Sequence, residues 1–164
     1  MGGFVEKEEN LMSVGNCWIY NDAVVYGSAL IADNAVVKDM AVVNGDAFVC
    51  GNSEISKNAE VTDCALVNGV AVVTDNAVIG GYSRVTEYAK IQNNARCIDC
   101  SDVSGYAVVS NDSILKGRVN VSGNVKVLNG TYDGPISYNG DEQLGRCESV
   151  LDKLNRAKND LLYR

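Results

Sequence analysis

An aliphatic residue returns at every sixth position from Ile19 to Val127, through 19 consecutive hexads. Only Cys97 interrupts this column of Val, Ile and Leu. Four residues after each member stands Ala or Ser in 16 of the 19 hexads. Because the small residue and the next aliphatic one are two apart, both point to the same side of an extended segment. Each hexad therefore predicts one short strand with an apolar inner side.

The residue two after each aliphatic one is Gly, Asp or Asn in 17 of the 19 hexads, with Lys57 and Glu87 as the exceptions. These three residue types tolerate positive φ, so a sharp corner is predicted at each of these positions. Strands and corners that alternate without longer loops predict a coil whose turns pair with the turns above and below. The predicted fold class is therefore an all-β solenoid.

This register of inward aliphatic and small residues resembles the hexapeptide-repeat family, whose fold is the left-handed parallel β-helix. The resemblance covers residues 19–132, which are 114 of the 164 residues. In that family three hexads form one triangular coil, which implies that residues 18 apart stack and that the 19 hexads form about six coils. The opening stretch from Gly2 to Trp18 also looks like the leader of uncharacterised hexapeptide-repeat proteins of bacteria and their phages.

Two segments flank the predicted β-helix of residues 19–132. Residues 1–18 fall outside the register and are expected to form an N-terminal cap, because a stacked coil has an open apolar end that must be covered. The apolar residues available for this cap are Phe4, Val5, Leu11 and Trp18. After Tyr132, the sequence Asp133-Gly134-Pro135 predicts a linker turn over residues 133–140.

Residues 141–164 are predicted to form a C-terminal α-helix. Their apolar residues recur at steps of three and four, which is the period of one helix face. The members of this stripe are Leu144, Cys147, Leu151, Leu154 and Leu161. The stripe is expected to pack either on the solenoid or against other copies of the chain.

Composition and charge restrict the function classes. The chain has no apolar run long enough to cross a bilayer and no charged and then apolar leader, so neither a membrane span nor a secretory signal is predicted, and a cytoplasmic location is expected. Residues 1–83 contain 11 acidic and 3 basic side chains, a net charge of −8, whereas residues 84–164 contain 10 acidic and 11 basic ones, a net charge of +1. Because no dense Lys/Arg cluster is present, nucleic-acid binding is not predicted.

The chain contains no histidine. Hexapeptide-repeat proteins are often acyltransferases that use a histidine base in the cleft between subunits, and related proteins hold zinc with three histidines. The repeat also lacks the long loop insertion that often shapes the acyl-acceptor pocket in those enzymes. A non-catalytic protein with no metal or cofactor is therefore predicted. The alternative is a divergent acyltransferase in which a carboxylate or tyrosine replaces the histidine.

The six cysteines are not predicted to form a metal site or a disulfide framework. Cys97 and Cys100 have the spacing of half a zinc or redox site. However, the hexad register turns Cys97 inward and places Cys100 on the next corner, and no second pair completes four ligands. We predict that these cysteines act as small buried hydrophobic residues.

Aromatic and cationic residues concentrate on the outside of roughly one coil. The six residues are Tyr82, Arg84, Tyr88, Lys90, Arg96 and Tyr106. Aromatic faces combined with Arg or Lys suit a small anionic or nucleotide-like ligand, through stacking and charge-assisted hydrogen bonds. The competing interpretation is structural: Arg84 pairs with Asp102 one coil away, and the tyrosines stack on one another.

Three large apolar residues, Leu30, Phe48 and Leu66, are predicted to stack on the outside of one face. Such a patch is more than scattered surface hydrophobicity and indicates an interface. Together with Leu151 and Leu154 of the C-terminal stripe, it is predicted to form the contacts of a homotrimer, the assembly that the family resemblance implies. The predicted function is a non-catalytic scaffold or binding module.

Overall fold

The computed structural model describes residues 2–145, which form 24 short strands and one 3₁₀ turn at Glu8–Asn10. In chain order the strands are β1 (Phe4–Val5), β2 (Leu11–Gly15), β3 (Trp18–Ile19), β4 (Val24–Val25), β5 (Leu30–Asp33), β6 (Val36–Val37), β7 (Val42–Val43), β8 (Phe48–Val49), β9 (Glu54–Ile55), β10 (Glu60–Val61), β11 (Leu66–Val67), β12 (Val72–Val73), β13 (Val78–Ile79), β14 (Arg84–Val85), β15 (Lys90–Ile91), β16 (Arg96–Cys97), β17 (Asp102–Val103), β18 (Val108–Val109), β19 (Ile114–Lys116), β20 (Asn120–Val121), β21 (Lys126–Val127), β22 (Thr131–Asp133), β23 (Ser137–Tyr138) and β24 (Gln143–Leu144).

Every third strand joins the same parallel sheet, so the chain winds through three sheets in turn. Sheet 1 runs from β1 through β4 to β22, sheet 2 from β2 through β5 to β23, and sheet 3 from β3 through β6 to β24. Each sheet has eight strands. Three consecutive strands make one coil, so coil 1 holds β1–β3 and coil 8 holds β22–β24. The predicted parallel β-solenoid, with three hexads to each stacked coil, is confirmed.

The interior is the aliphatic column together with its small partners. All 19 members of the column from Ile19 to Val127 are buried, and so are the Ala and Ser residues four positions after them. Val67, for example, pairs with Val49 above and Val85 below, and all three are fully buried. The coils therefore enclose one continuous apolar core.

The predicted corners adopt positive φ at 18 of the 19 positions, with values between 56° and 79°. Lys57 and Glu87, the two exceptions to the Gly/Asp/Asn pattern, also have φ of 60°. Acidic corner side chains accept a backbone hydrogen bond from the same corner one coil later. The Asp63 carboxylate accepts from Gly81 N at 2.8 Å, and the Glu87 carboxylate accepts from Gly105 N at 2.8 Å. The corner residues thus both turn the chain and link consecutive coils.

The prediction of about six coils is wrong, because the described residues form eight strands in each sheet. The extra turns come from both ends. In coil 8, Tyr132, Tyr138 and Leu144 pair with residues 17 positions earlier, instead of 18, and pack against the core. One residue is missing between Val127 and Tyr132, so the hexad count breaks although the solenoid continues.

Residues 1–18 contribute strands as well as closure. Strands β1 and β2 pair in parallel with β4 and β5, and the Val5 and Leu11 side chains pack against the core. Phe4 and Trp18 point outward instead and are 62% and 53% exposed. The 3₁₀ turn at Glu8–Asn10 and a register shift within β2 accommodate the residues that break the hexad count.

The C-terminal helix predicted from residue 141 is not found where the structure describes this segment. Gln143–Leu144 is a strand that pairs with β21, and Leu144 lies inward opposite Val127. Leu144 is six residues after Tyr138, so it continues the solenoid and does not begin a helix. The predicted linker, residues 133–140, likewise contains the strand Ser137–Tyr138. The remainder of the predicted helix, including Cys147, lies outside the described residues.

Candidate binding face

The outward residues of sheet 2 form one column in register. Leu30 pairs with Phe48, Phe48 with Leu66, Leu66 with Arg84, and Arg84 with Asp102. The predicted stacking of residues 18 apart is therefore confirmed on this face. Because the strands are parallel and in register, the column is a straight stripe along the solenoid.

The upper part of this stripe is apolar and open to solvent. Leu30 is 39% exposed, Phe48 is 36% exposed, and Leu66 is half-buried. Ala32 and Cys50, two positions after Leu30 and Phe48, are buried, so small side chains flank the column there. Three large apolar side chains therefore project from an otherwise flat surface, which suits a flat apolar partner. Leu151 and Leu154, also predicted at an interface, lie outside the described residues.

In coils 5 and 6, the stripe consists of the charged residues Arg84 and Asp102. The closest atoms of Arg84 and Asp102 are Nη1 and Oδ2, 4.0 Å apart, and both side chains are partly exposed. This contact agrees with the structural interpretation of Arg84. An exposed pair at this distance contributes at most about 1 kcal/mol to the free energy of unfolding, so it does not fix the Arg84 side chain.

The six residues predicted to bind a small ligand lie on different faces. Arg84 is in sheet 2, Lys90 in sheet 3 and Arg96 in sheet 1. One coil turns through a full circle, so residues six apart point in three directions. Tyr82 lies on the corner that precedes Arg84, and Tyr88 on the corner that precedes Lys90. The structure therefore does not bring the six residues into one pocket.

Two of the six do meet. The Tyr88 and Tyr106 rings stack with their centroids 4.8 Å apart and their planes 8° apart, at the corner between sheets 2 and 3. Both rings are exposed, at 55% and 62%. This corner offers an aromatic surface with Lys90 two residues after Tyr88.

The five cysteines between residues 2 and 145 are all free thiols. Cys97 is fully buried in the core, and burial raises the pKa of its thiol to about 12. Cys100 is exposed on the following corner, as predicted. Within residues 2–145, no group of three or more His, Cys, Asp or Glu side chains is arranged to hold a metal ion.

A small apolar cavity at coil 1 was not apparent from the sequence. Its volume is about 180 Å³, and its larger lining residues are Val5, Leu11, Cys17, Trp18 and Ile19. Burial raises the pKa of the Cys17 thiol in its wall. No sequence signal identified the cavity, because it arises where β1 and β2 depart from the hexad register.

The corner carboxylates are a second feature that was missed. Their residue types were predicted from φ alone, whereas each also accepts a hydrogen bond from the next coil, as Asp33 does from Gly51 N at 2.9 Å. At four of these six corners the sequence signal is an acidic residue followed 18 positions later by Gly, as in Asp63 and Gly81, whereas Asp39 and Asp75 are followed by Lys57 and Asn93. These carboxylates are engaged in holding the coils together.

No protein-family model matches the chain, and no curated protein matches it. The resemblance to the hexapeptide-repeat family therefore rests on the repeat and the solenoid alone. Among residues 2–145, no helix is long and apolar enough to cross a membrane.

Proposed function

We propose that this chain is a left-handed hexapeptide-repeat β-helix that works without catalysis, as a rigid scaffold or binding module that associates with copies of itself. The observation on which the proposal depends is the exposed apolar stripe of Leu30, Phe48 and Leu66 on sheet 2. Burying such a stripe against a partner removes apolar area from water and favours association.

The backbone of sheet 2 is rigid, which suits this face to binding a partner. Sheet 2 is held by parallel pairing from β2 to β23, and its strands are joined to the other sheets by tight corners. Little conformational entropy remains to be lost in these coils when a partner binds. A preformed face with three stacked anchors is the arrangement expected of a structural interface.

Two features support a non-catalytic role. The chain has no histidine to act as a general base near neutral pH. From residue 19 to residue 128, each strand is followed by a short corner, so no inserted loop walls a substrate pocket. Purified protein is expected not to turn over an acyl-CoA, and turnover would favour the divergent acyltransferase instead.

The mass of the protein in solution tests self-association. The resemblance to hexapeptide-repeat proteins predicts three subunits, and light scattering at tens to hundreds of micromolar distinguishes trimer, dimer and monomer. Phe48→Glu is expected to weaken assembly, because it places a carboxylate in the apolar stripe. Phe4→Glu is the matched control, since Phe4 is 62% exposed on sheet 1. A monomeric wild type, or equal effects of both changes, would contradict the proposal.

A small anionic or nucleotide-like ligand is also proposed, at the corner formed by Tyr88, Tyr106 and Lys90. The stacked, exposed rings support it, and Lys90 follows Tyr88 by two residues in the sequence. Native mass spectrometry of the purified protein, with ATP added as a probe, tests it. Tyr88→Ala is expected to reduce binding and Tyr26→Ala, an exposed tyrosine on another corner, is expected to leave it unchanged. Equal binding by both variants would contradict a ligand site at this corner.

A further inference from the structure

The outward column of sheet 2 is nearly symmetric about Phe48. From coil 2 to coil 5 it consists of Leu30, Phe48, Leu66 and Arg84, whereas the coil 1 residue in this register, Asn10, is fully buried. Phe48 is therefore the middle one of three apolar residues, with one leucine on each side of it. A surface with this order can match a second copy of itself when that copy is turned upside down.

A two-fold axis along the strand direction of β8 would produce this match. It places coil 3 of one copy opposite coil 3 of the other, coil 2 opposite coil 4, and coil 1 opposite coil 5. Leu30 then faces Leu66 of the second copy, and the two Phe48 side chains meet on the axis. Three apolar positions are covered by three apolar positions.

Charged residues of opposite sign lie near the two ends of this column. Arg84, in coil 5, would face the first coil of the second copy. There the Asn10 side chain is turned inward, donating to Gly27 O at 3.1 Å and Ala29 O at 2.7 Å, and it is fully buried. The two residues before it, Glu8 and Glu9, are exposed in the 3₁₀ turn that contacts β5. Arg84 would therefore meet a carboxylate pair, twice in the assembly.

Other arrangements match the column less well. If the two-fold axis moves by half a coil toward coil 4, Leu30 faces Arg84 and a charge is placed against an apolar group, which costs desolvation energy. If the two solenoids run parallel, Arg84 faces Arg84, and Glu8 and Glu9 face their own copies. Like charges at matched heights are unfavourable.

We propose that two copies of this chain pair antiparallel across sheet 2, with the two-fold axis at Phe48 and with Arg84 of each copy against Glu8 and Glu9 of the other. This inference rests on the proposed self-association and specifies its partner and geometry. The contact spans five coils, about 24 Å at ~4.8 Å per strand. Such a small patch with charged ends gives a weak dimer whose affinity falls as salt rises.

Charge exchange across the contact tests the geometry, with sedimentation equilibrium at low salt as the measurement. Arg84→Glu alone and the pair Glu8→Arg and Glu9→Arg alone are each expected to raise the dimer Kd at least tenfold. The triple variant, which carries all three changes, is expected to recover most of the lost affinity, because the charges that face each other across the contact are exchanged, while Asp102, 4.0 Å from Arg84 in the same chain, leaves the recovery incomplete. Lys126→Glu, the same charge change on sheet 3, is the matched control and is expected to leave Kd unchanged.

Each outcome decides between alternatives. Recovery in the triple variant requires coil 1 and coil 5 to be in contact between copies, which a parallel assembly does not provide. If the protein assembles but the triple variant is no better than Arg84→Glu, or if the mass is that of a trimer, the antiparallel geometry is overturned while self-association stands. If the wild type is a monomer at hundreds of micromolar, both the geometry and the proposed self-association are overturned.

Discussion

The middle and the two ends of the solenoid are built by different rules. From coil 2 to coil 7, an aliphatic residue and a small one point inward from each strand, and residues paired on successive coils are three hexads apart. In coil 1, Val5 and Leu11 pair with residues 20 positions later, and in coil 8, Tyr132 pairs with a residue 17 positions earlier. Outside the middle coils, among residues 2–145, only β3 keeps the spacing of three hexads.

This difference follows from the position of each coil in the stack. A middle coil is covered by a coil on each side, so inward Val and Ala residues are enough to fill its layer of the core. An end coil must also shield that layer from water, and larger inward groups do this: Leu11 at one end, and Tyr132, Tyr138 and Leu144 at the other. The Tyr132 and Tyr138 rings meet edge to face with centroids 5.8 Å apart, and Tyr132 OH donates to Asn129 O at 3.0 Å. Among residues 2–145, the first and last coils are therefore the ones that depart from the repeat.

The largest expected effect is a charge placed in the middle core. Val109 is fully buried, whereas Val108, next to it on β18, points outward. Val109→Asp is expected to cost about 3–5 kcal/mol or to prevent folding, because an inward carboxylate has no partner. Val108→Asp is expected to change stability by less than ~0.5 kcal/mol, because it lies between Lys90 and Lys126. Urea unfolding followed by circular dichroism measures both, and equal losses would contradict the inward register.

A smaller and more local effect is expected at the C-terminal end. Tyr138→Ala removes a ring that packs against the core and is expected to cost about 2–3 kcal/mol. Because coils interact only with their neighbours, hydrogen exchange should quicken in coils 7 and 8 and stay unchanged in coils 3 to 5. Tyr82→Ala, at a site that is 69% exposed, is the control. Faster exchange throughout the molecule would show that the end is not an independent closure.

The middle of the fold was predictable because each strand needs an inward apolar residue, and this need recurs at every sixth residue. The first and last coils were not predictable, because their residues must also shield the apolar core from water. Tyr132, Tyr138 and Leu144 keep the six-residue step, and Gly134 and Gly140 follow two of them, but the missing residue before Tyr132 broke the count. Leu144 also fits a three- and four-residue helical spacing, which led to the incorrect helix prediction.

On the candidate binding face, too, some positions could be predicted from the sequence and others could not. The order Leu30, Phe48, Leu66 and Arg84 follows from stepping three hexads along the sequence, so the stripe was predictable. The inward turn of Asn10 was not, because it depends on the 3₁₀ turn of coil 1. Likewise, nearness in sequence suggested a cluster around Arg84, whereas neighbours on the face of a solenoid are separated by a whole coil of sequence.

An effect smaller than those of Val109→Asp and Tyr138→Ala is expected from a change in a corner of the middle coils. Gly81 has φ of 66°, and a Cβ built there would lie 2.5 Å from Asp99 O, a backbone atom of the next coil. Gly81→Ala is therefore expected to cost about 1–2 kcal/mol, from strain at positive φ and from displacement of that coil. Asp99→Asn keeps an oxygen that can accept from Gly117 N and is expected to cost less than ~0.5 kcal/mol. Thermal unfolding measures both, and a neutral Gly81→Ala would contradict the tight corner.

The smallest expected effect is the pH response of one corner. Hydrogen bonds from Lys57 Nζ at 2.6 Å and from Asn93 N at 2.9 Å lower the pKa of Asp75 below its ordinary value of 3.8. Because the pKa is lower in the folded state, the ionised carboxylate adds stability above pH 3.8, and this contribution is lost as pH falls through the folded pKa. Lys57→Gln removes the charged donor, so it is expected to raise the pKa of Asp75 and to move acid unfolding slightly to higher pH. Carboxyl chemical shifts followed by NMR measure the pKa, and an unchanged Asp75 titration in the variant would show that the backbone and side-chain N–H groups of Asn93 hold the carboxylate in its ionised form without Lys57.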